Sequence, residues 1–207
     1  RWQESQIAWR EMPQATISEL RDRTSVDEGT GAVRSAQAAE LDLPEESLRE
    51  LWTPMNLERL ARTYWRFLAR VTLGLVRVCY SRDERCVVLL ARPLKLLVFS
   101  APEYEIEPDH GVVRWRLQRG LLVAKHGRGG AGHLQIEVRR LSTEKPGRAR
   151  VEIEVEVANF YPRIASGLGR GIYNATQSRI HVVVTHGFLR SLAKLKLARS
   201  RVGSLEN

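Results

Sequence analysis

Gly127-Arg-Gly-Gly-Ala-Gly132 has the composition of a phosphate cradle, because glycines let successive backbone N–H groups close around an anion. It lacks the Lys-Ser/Thr that completes a phosphate-binding loop, and it leads into an alternating strand rather than a helix. The stretch therefore reads as a hairpin loop. Five histidines, His110, His126, His133, His181 and His186, could ligate a metal in principle, but none share a ligand spacing. His181 and His186 are five apart, which puts them on different faces of a helix. No Ser/His/Asp set, Cys/His pair or catalytic carboxylate couple stands out. Cys79 and Cys86 flank Ser81-Arg-Asp-Glu-Arg85; a loop centred on Arg82-Asp83 sets the two thiols opposite one another. A disulfide fits that geometry, yet two cysteines without a secretory context read as reduced core residues. No reaction is specified and no cofactor or metal is implied, so the enzyme question leans to no.

The elements that must position any site are clearer. Val151, Ile153, Val155 and Val157 alternate strictly with Glu152, Glu154 and Glu156, giving a strand with one dry and one wet face. The rows Glu103/Glu105/Glu107 and Glu152/Glu154/Glu156 are expected on solvent faces, paired with Arg114, Arg116 and Arg139. Upstream, Asp42-Leu-Pro-Glu45 reads as an N-cap leading a short helix to about Trp52, and Thr53-Pro54 caps a second. In the second helix Leu57, Leu60, Ala61, Tyr64, Phe67, Leu68 and Val71 follow three-and-four spacing. From Leu75 the period falls to two. Segments 75–80, 86–91, 94–100, 103–107, 113–117, 121–125 and 134–139 precede the strand at 151, with no crossover helix between them. With 121–125 continuing the strand at 113–117 after Gly120, that pattern predicts an antiparallel meander of six or seven strands. Pro162 to about Leu197 is helical in pattern, with two adjoining apolar stripes. So broad an arc requires burial beyond a single sheet contact, against an N-terminal arm or a second subunit.

Residues 1–41 are polar and aperiodic and read as an extended N-terminal arm, leaving 42–207 as the folded domain with a basic end. At 207 residues the chain can build a core without metal or disulfide staples. Net charge is +9, which admits an anionic surface or nucleic acid as partner. However, Arg outnumbers Lys 28 to 5 and is spread along the whole chain, a compositional bias rather than a binding site. No apolar run reaches the roughly 18 residues of a membrane span, and no signal segment follows Arg1, so a cytoplasmic location is expected.

Two helices, a long antiparallel meander and a terminal helix opening at Asn159-Phe-Tyr-Pro162 resemble the helix-grip proteins of the START/polyketide-cyclase-like (SRPBCC) superfamily. The resemblance covers about residues 44–197 and is one of element order; no motif carries it. It implies an α+β fold in which a curved sheet grips a long C-terminal helix, with an apolar ligand held between them. The family has a strand before its two helices, visible here only if the arm supplies it. No catalytic residue is carried over. The expected function is non-catalytic binding of a hydrophobic small molecule or lipid, with Tyr104, Trp115, Tyr173, Gln177 and His181 lining the cavity. The alternatives are an accessory subunit docking, as a homo-oligomer or in a larger assembly, through residues 1–41 and the basic end, and a cyclase- or hydrolase-like enzyme using the same cavity.

Overall fold

The structure, a computed structural model, describes residues 15–18, 20–30, 32–89, 95–121, 123, 129, 131–160, 183–192 and 197. In chain order these form β1 (Thr16–Ile17), β2 (Arg21–Val26), β3 (Val33–Pro44), α1 (Glu45–Leu51) and α2 (Pro54–Val71). Then come β4 (Val76–Tyr80), β5 (Glu84–Leu89), β6 (Lys95–Ser100), β7 (Glu103–Ile106), β8 (His110–Arg119), β9 (His133–Leu141) and β10 (Arg148–Phe160). A helical segment over 183–192 follows, α3. The strands make one antiparallel sheet in the order β1-β3-β10-β9-β8-β6-β5-β4, with β2 also on β3 and β7 also on β8. A strand, two helices, a large open sheet and a final helix make an α+β arrangement compatible with a helix grip.

Ten strands stand among the described residues, not six or seven, and the excess comes from the segment expected to be an arm. Residues 33–44 are an interior strand, with β10 on one side and β1 and β2 on the other. Ala36, Ala38 and Ala39 are buried there. The period of two was invisible because both faces are covered, so small residues occupy inward and outward positions alike, and pairing overrides weak intrinsic strand preference. The strand expected ahead of the two helices is thus supplied by these residues.

Asp42 does not cap α1. It lies in β3, opposite Arg150 and Thr16, and its carboxylate takes Arg148 and Lys145, while Pro44 precedes the helix without a side-chain cap. The second cap is as expected: Thr53 Oγ1 accepts from Asn56 N at 3.2 Å, with Pro54 in the first turn.

The alternation of β10 sets the inner face. Val155 lies between Ile136 and Gln37, and Ile153 between Val138 and Ala39, so apolar side chains form rows across the sheet. Leu57, Leu60, Ala61, Tyr64 and Trp65 of α2 pack on these rows. Val184, Thr185, Phe188 and Leu189 of α3 are fully buried. Phe188 meets the Tyr64 ring edge-on at 5.4 Å, and a Cβ on Gly187 would come within 2.5 Å of Phe67, so glycine permits this close approach. Within 183–192 the buried side chains of α3 therefore pack against α2 as well as the sheet. Of the long helix expected from Pro162, the structure describes 183–192, which is helical, and Leu197, which is not; the rest of that span lies outside the described residues.

Candidate functional site

The inner face leaves an apolar space of about 90 Å³ between the sheet and the helices. Leu41 and Leu43 of β3 and Val151 and Ile153 of β10 make its floor, with Val138 and Gly111 beside them. Leu48, Leu51 and Trp52 close it from α1, Leu57 and Leu60 from α2, and Leu192 from α3. These residues converge because β3 and β10 present period-two apolar rows while α1 and α2 begin directly above them.

Among the described lining residues, side-chain hydroxyl and amide groups come from Thr53 and Asn56, and both are hydrogen-bonded. Thr53 caps α2, and Asn56 donates to Glu50 O at 3.2 Å and accepts from Arg59 at 2.9 Å. Trp52 is held by its indole N–H on Glu107 O at 2.8 Å. The lining therefore exchanges dispersion and hydrophobic contacts with a guest, and among the described residues it presents no acid, base or nucleophile.

The charged groups of the helix-covered side lie at its other flank. Glu58 and Arg62 form an i,i+4 pair at 2.9 Å with both side chains about 90% buried (10% exposed each). The guanidiniums of Arg62 and Arg85 lie 4.8 Å and 5.2 Å from the Tyr80 ring centroid. Burial pushes the Tyr104 phenol up to about 12, with the Glu58 charge adding to it, and burial also lowers Arg85. Glu58 Oε2 is buried without a hydrogen-bond partner.

Of the five residues expected to line a ligand site, the structure describes Tyr104 and Trp115. Tyr104 faces inward opposite Val113, but β7 is short and pairs only with β8, so the side chain is 42% exposed beside the Glu58–Arg62 pair rather than over the cavity. Trp115 is buried in the core against Trp65, centroids 5.2 Å apart, and its indole N–H has no partner. Neither lines the 90 Å³ space. Tyr173, Gln177 and His181 lie outside the described residues. The lining residues that sequence reasoning missed were those of β3, hidden in the supposed arm, and those of α1; Trp52, an aromatic between two helix caps, was the available signal.

Among the described residues no group of three or more metal-ligating side chains converges. His110 instead faces Glu137 at 2.9 Å, and His133 faces Glu156 at 3.3 Å. Cys79 and Cys86 are opposed in register, as the loop at Arg82-Asp83 implied, and both are free thiols. No helix among the described residues is long and apolar enough to cross a membrane.

No family model matches the chain, and no curated protein matches it. Among solved structures it is similar to a protein of Arthrobacter aurescens, at 15% identity and a TM-score of 0.35 over 84% of this chain and 93% of that one. It is also similar to human STARD10, at 9% identity and a TM-score of 0.33, covering 84% of this chain and 73% of that one. CalU16 of Micromonospora echinospora matches at 13% identity and a TM-score of 0.22, over 67% of each chain. Likenesses at these scores carry no argument about ligand or reaction.

Proposed function

We propose that this protein binds the apolar end of a small molecule or lipid, without catalysis, in the space between the inner sheet face and its helices. The supporting observation is the lining: apolar side chains from β3, β10, α1, α2 and α3, with its two polar groups already hydrogen-bonded. Such a surface rewards a guest that brings no polar group inside. At about 90 Å³ the space is smaller than the roughly 150 Å³ that accommodates a benzene ring, so the fit is to a short aliphatic end. Tyr173, Gln177 and His181 remain proposed contacts for the rest of the ligand.

Trp52 lines the space and reports on it. Titration with a series of alkyl carboxylates should change Trp52 fluorescence, with affinity rising with chain length until the space is filled. Val138→Ile, which adds a methylene to the lining, should weaken binding by about tenfold, the cost of displacing one or two methylenes. Native mass spectrometry showing an empty protein, together with no response to any chain length, would remove the reading.

A further inference from the structure

The turn joining α2 to β4 is built against the interest of the fold. α2 ends in a Schellman arrangement: Gly74 N–H bonds Ala69 O at 2.8 Å and Leu73 N–H bonds Arg70 O at 3.0 Å. Leu73 takes the left-handed position, φ 52°, where glycine is the ordinary residue and a side chain is strained. The leucine is 90% exposed, so it recovers nothing by packing. Val71 and Leu75 are exposed beside it, and Leu121 is exposed at the same end of the sheet, held there by its N–H on Lys95 O at 3.0 Å. Around these aliphatics stand Arg66, Arg70, Arg77 and Lys95, all exposed, with no side-chain partner among the described residues. From Arg59 to Arg82 the sequence holds six arginines and no acidic residue, and 86–102 and 111–136 hold none either.

We propose that this end of the molecule is a docking surface for an anionic lipid bilayer, with Leu73 and its neighbours entering the headgroup boundary. Unpaired cations on the elements that carry these exposed aliphatics fit a surface that is negative outside and apolar beneath. A protein partner would need acidic groups spaced to meet each arginine; a bilayer meets them at any spacing. The surface is separate from the cavity, since Leu57 and Val71 are about 21 Å apart along α2 at 1.5 Å per residue.

The test is sedimentation with phosphatidylglycerol/phosphatidylcholine vesicles against pure phosphatidylcholine. Binding is expected to the anionic vesicles only and to weaken steeply with salt. Leu73→Gly suits the backbone better, so its Tm should hold or rise while vesicle affinity falls at least about tenfold. Arg66→Gln and Arg77→Gln should each cost about fivefold. Equal binding to neutral vesicles, no binding at all, or an unchanged Leu73→Gly variant would overturn the proposal. So would light scattering that shows a dimer which Leu73→Gly dissolves, since the patch would then belong to a second copy. Alkyl carboxylate binding should be the same in wild type and Leu73→Gly, so failure here is distinct from failure of the cavity reading.

Discussion

The inner and outer faces of the central strands solve burial by opposite means. On the inner face, Val151, Ile153 and Val155 are buried beneath the helices, and the remaining gap is lined by apolar side chains. On the outer face, Glu152, Glu154 and Glu156 are not out in water as the alternation suggested; their side chains are only 13–18% exposed. A lattice covers them: Arg34 and His133 on Glu156, Arg21 and Arg139 on Glu152, Arg139 also on Glu137 and Glu154. Arg116 holds Glu103 at 2.7 Å as expected, but Arg114 turns to Gln135. The inner face gains from area removed from water, the outer from many weak pairs, and single changes should cost accordingly.

The contrast breaks hardest at Phe188, which is fully buried between α2 and the sheet. Phe188→Ala should cost about 3–5 kcal/mol and lower Tm by about 10 °C in thermal unfolding. An outer-face change of similar size, such as Arg21→Ala, should stay within about 1 kcal/mol. If the two were equal, the division between faces would not hold.

One charged pair intrudes on the helix-covered side and sharpens the rule. Among the described residues Arg62 is the ionic partner of buried Glu58. Arg62→Met should cost about 3 kcal/mol by leaving a buried carboxylate uncompensated, read by denaturant midpoint. The double variant Glu58→Leu with Arg62→Met should recover most of that loss. A double variant as unstable as the single one would show that the pair's methylene packing, not its charge, is what matters.

How much of this was legible in the sequence follows the same division. β10 and α2 were readable because each has one apolar face on the core and one charged face turned away from it, so the pattern mirrors the environment. β3 was not: Ser35-Ala-Gln-Ala-Ala39 is covered on both faces, and Gln37, which donates to Asp22 at 3.0 Å, looks like a loop residue. Its position depends on β10, more than a hundred residues away, and no local window contains that pairing. The cavity was lost with it, since Leu41 and Leu43 form the floor. Tyr104 was oriented correctly by alternation, but alternation does not say which part of its strand reaches the cavity: Ile106 lines it and Tyr104 does not. Asp42 was misread because a capping sequence and a strand end use the same residues.

A smaller effect tests whether the inner gap is truly empty. Val138→Ile adds one methylene to the lining and should raise stability by about 0.5–1 kcal/mol, measured by thermal unfolding without ligand. A loss instead would mean that the gap closes in solution and the new methyl overpacks it.

The smallest expected effect separates two glutamates on the same outer face. Glu156 is held below the usual carboxylate range, first by its hydrogen bond with His133 and then by Arg34. Glu154 is raised, first by burial, with Glu156, Glu137 and Glu152 adding repulsion that Arg139 only partly offsets. The signs are opposite. Glu156 stabilises the fold above its unfolded pKa, and that contribution fades as pH falls through its lower folded value. Glu154 favours the fold when protonated, a contribution present below its unfolded pKa and lost as pH rises through its raised folded value. At pH 7, Glu156→Gln should therefore lower Tm and Glu154→Gln raise it, each by about 1–2 °C after allowing for solvent screening. At pH 3 the Glu156→Gln difference should shrink, while Glu154→Gln should lose its advantage because the wild-type side chain is itself neutral. If both variants shifted Tm in the same direction at pH 7, the outer face would be a uniform field of acids, not a lattice in which each carboxylate answers to its own neighbours.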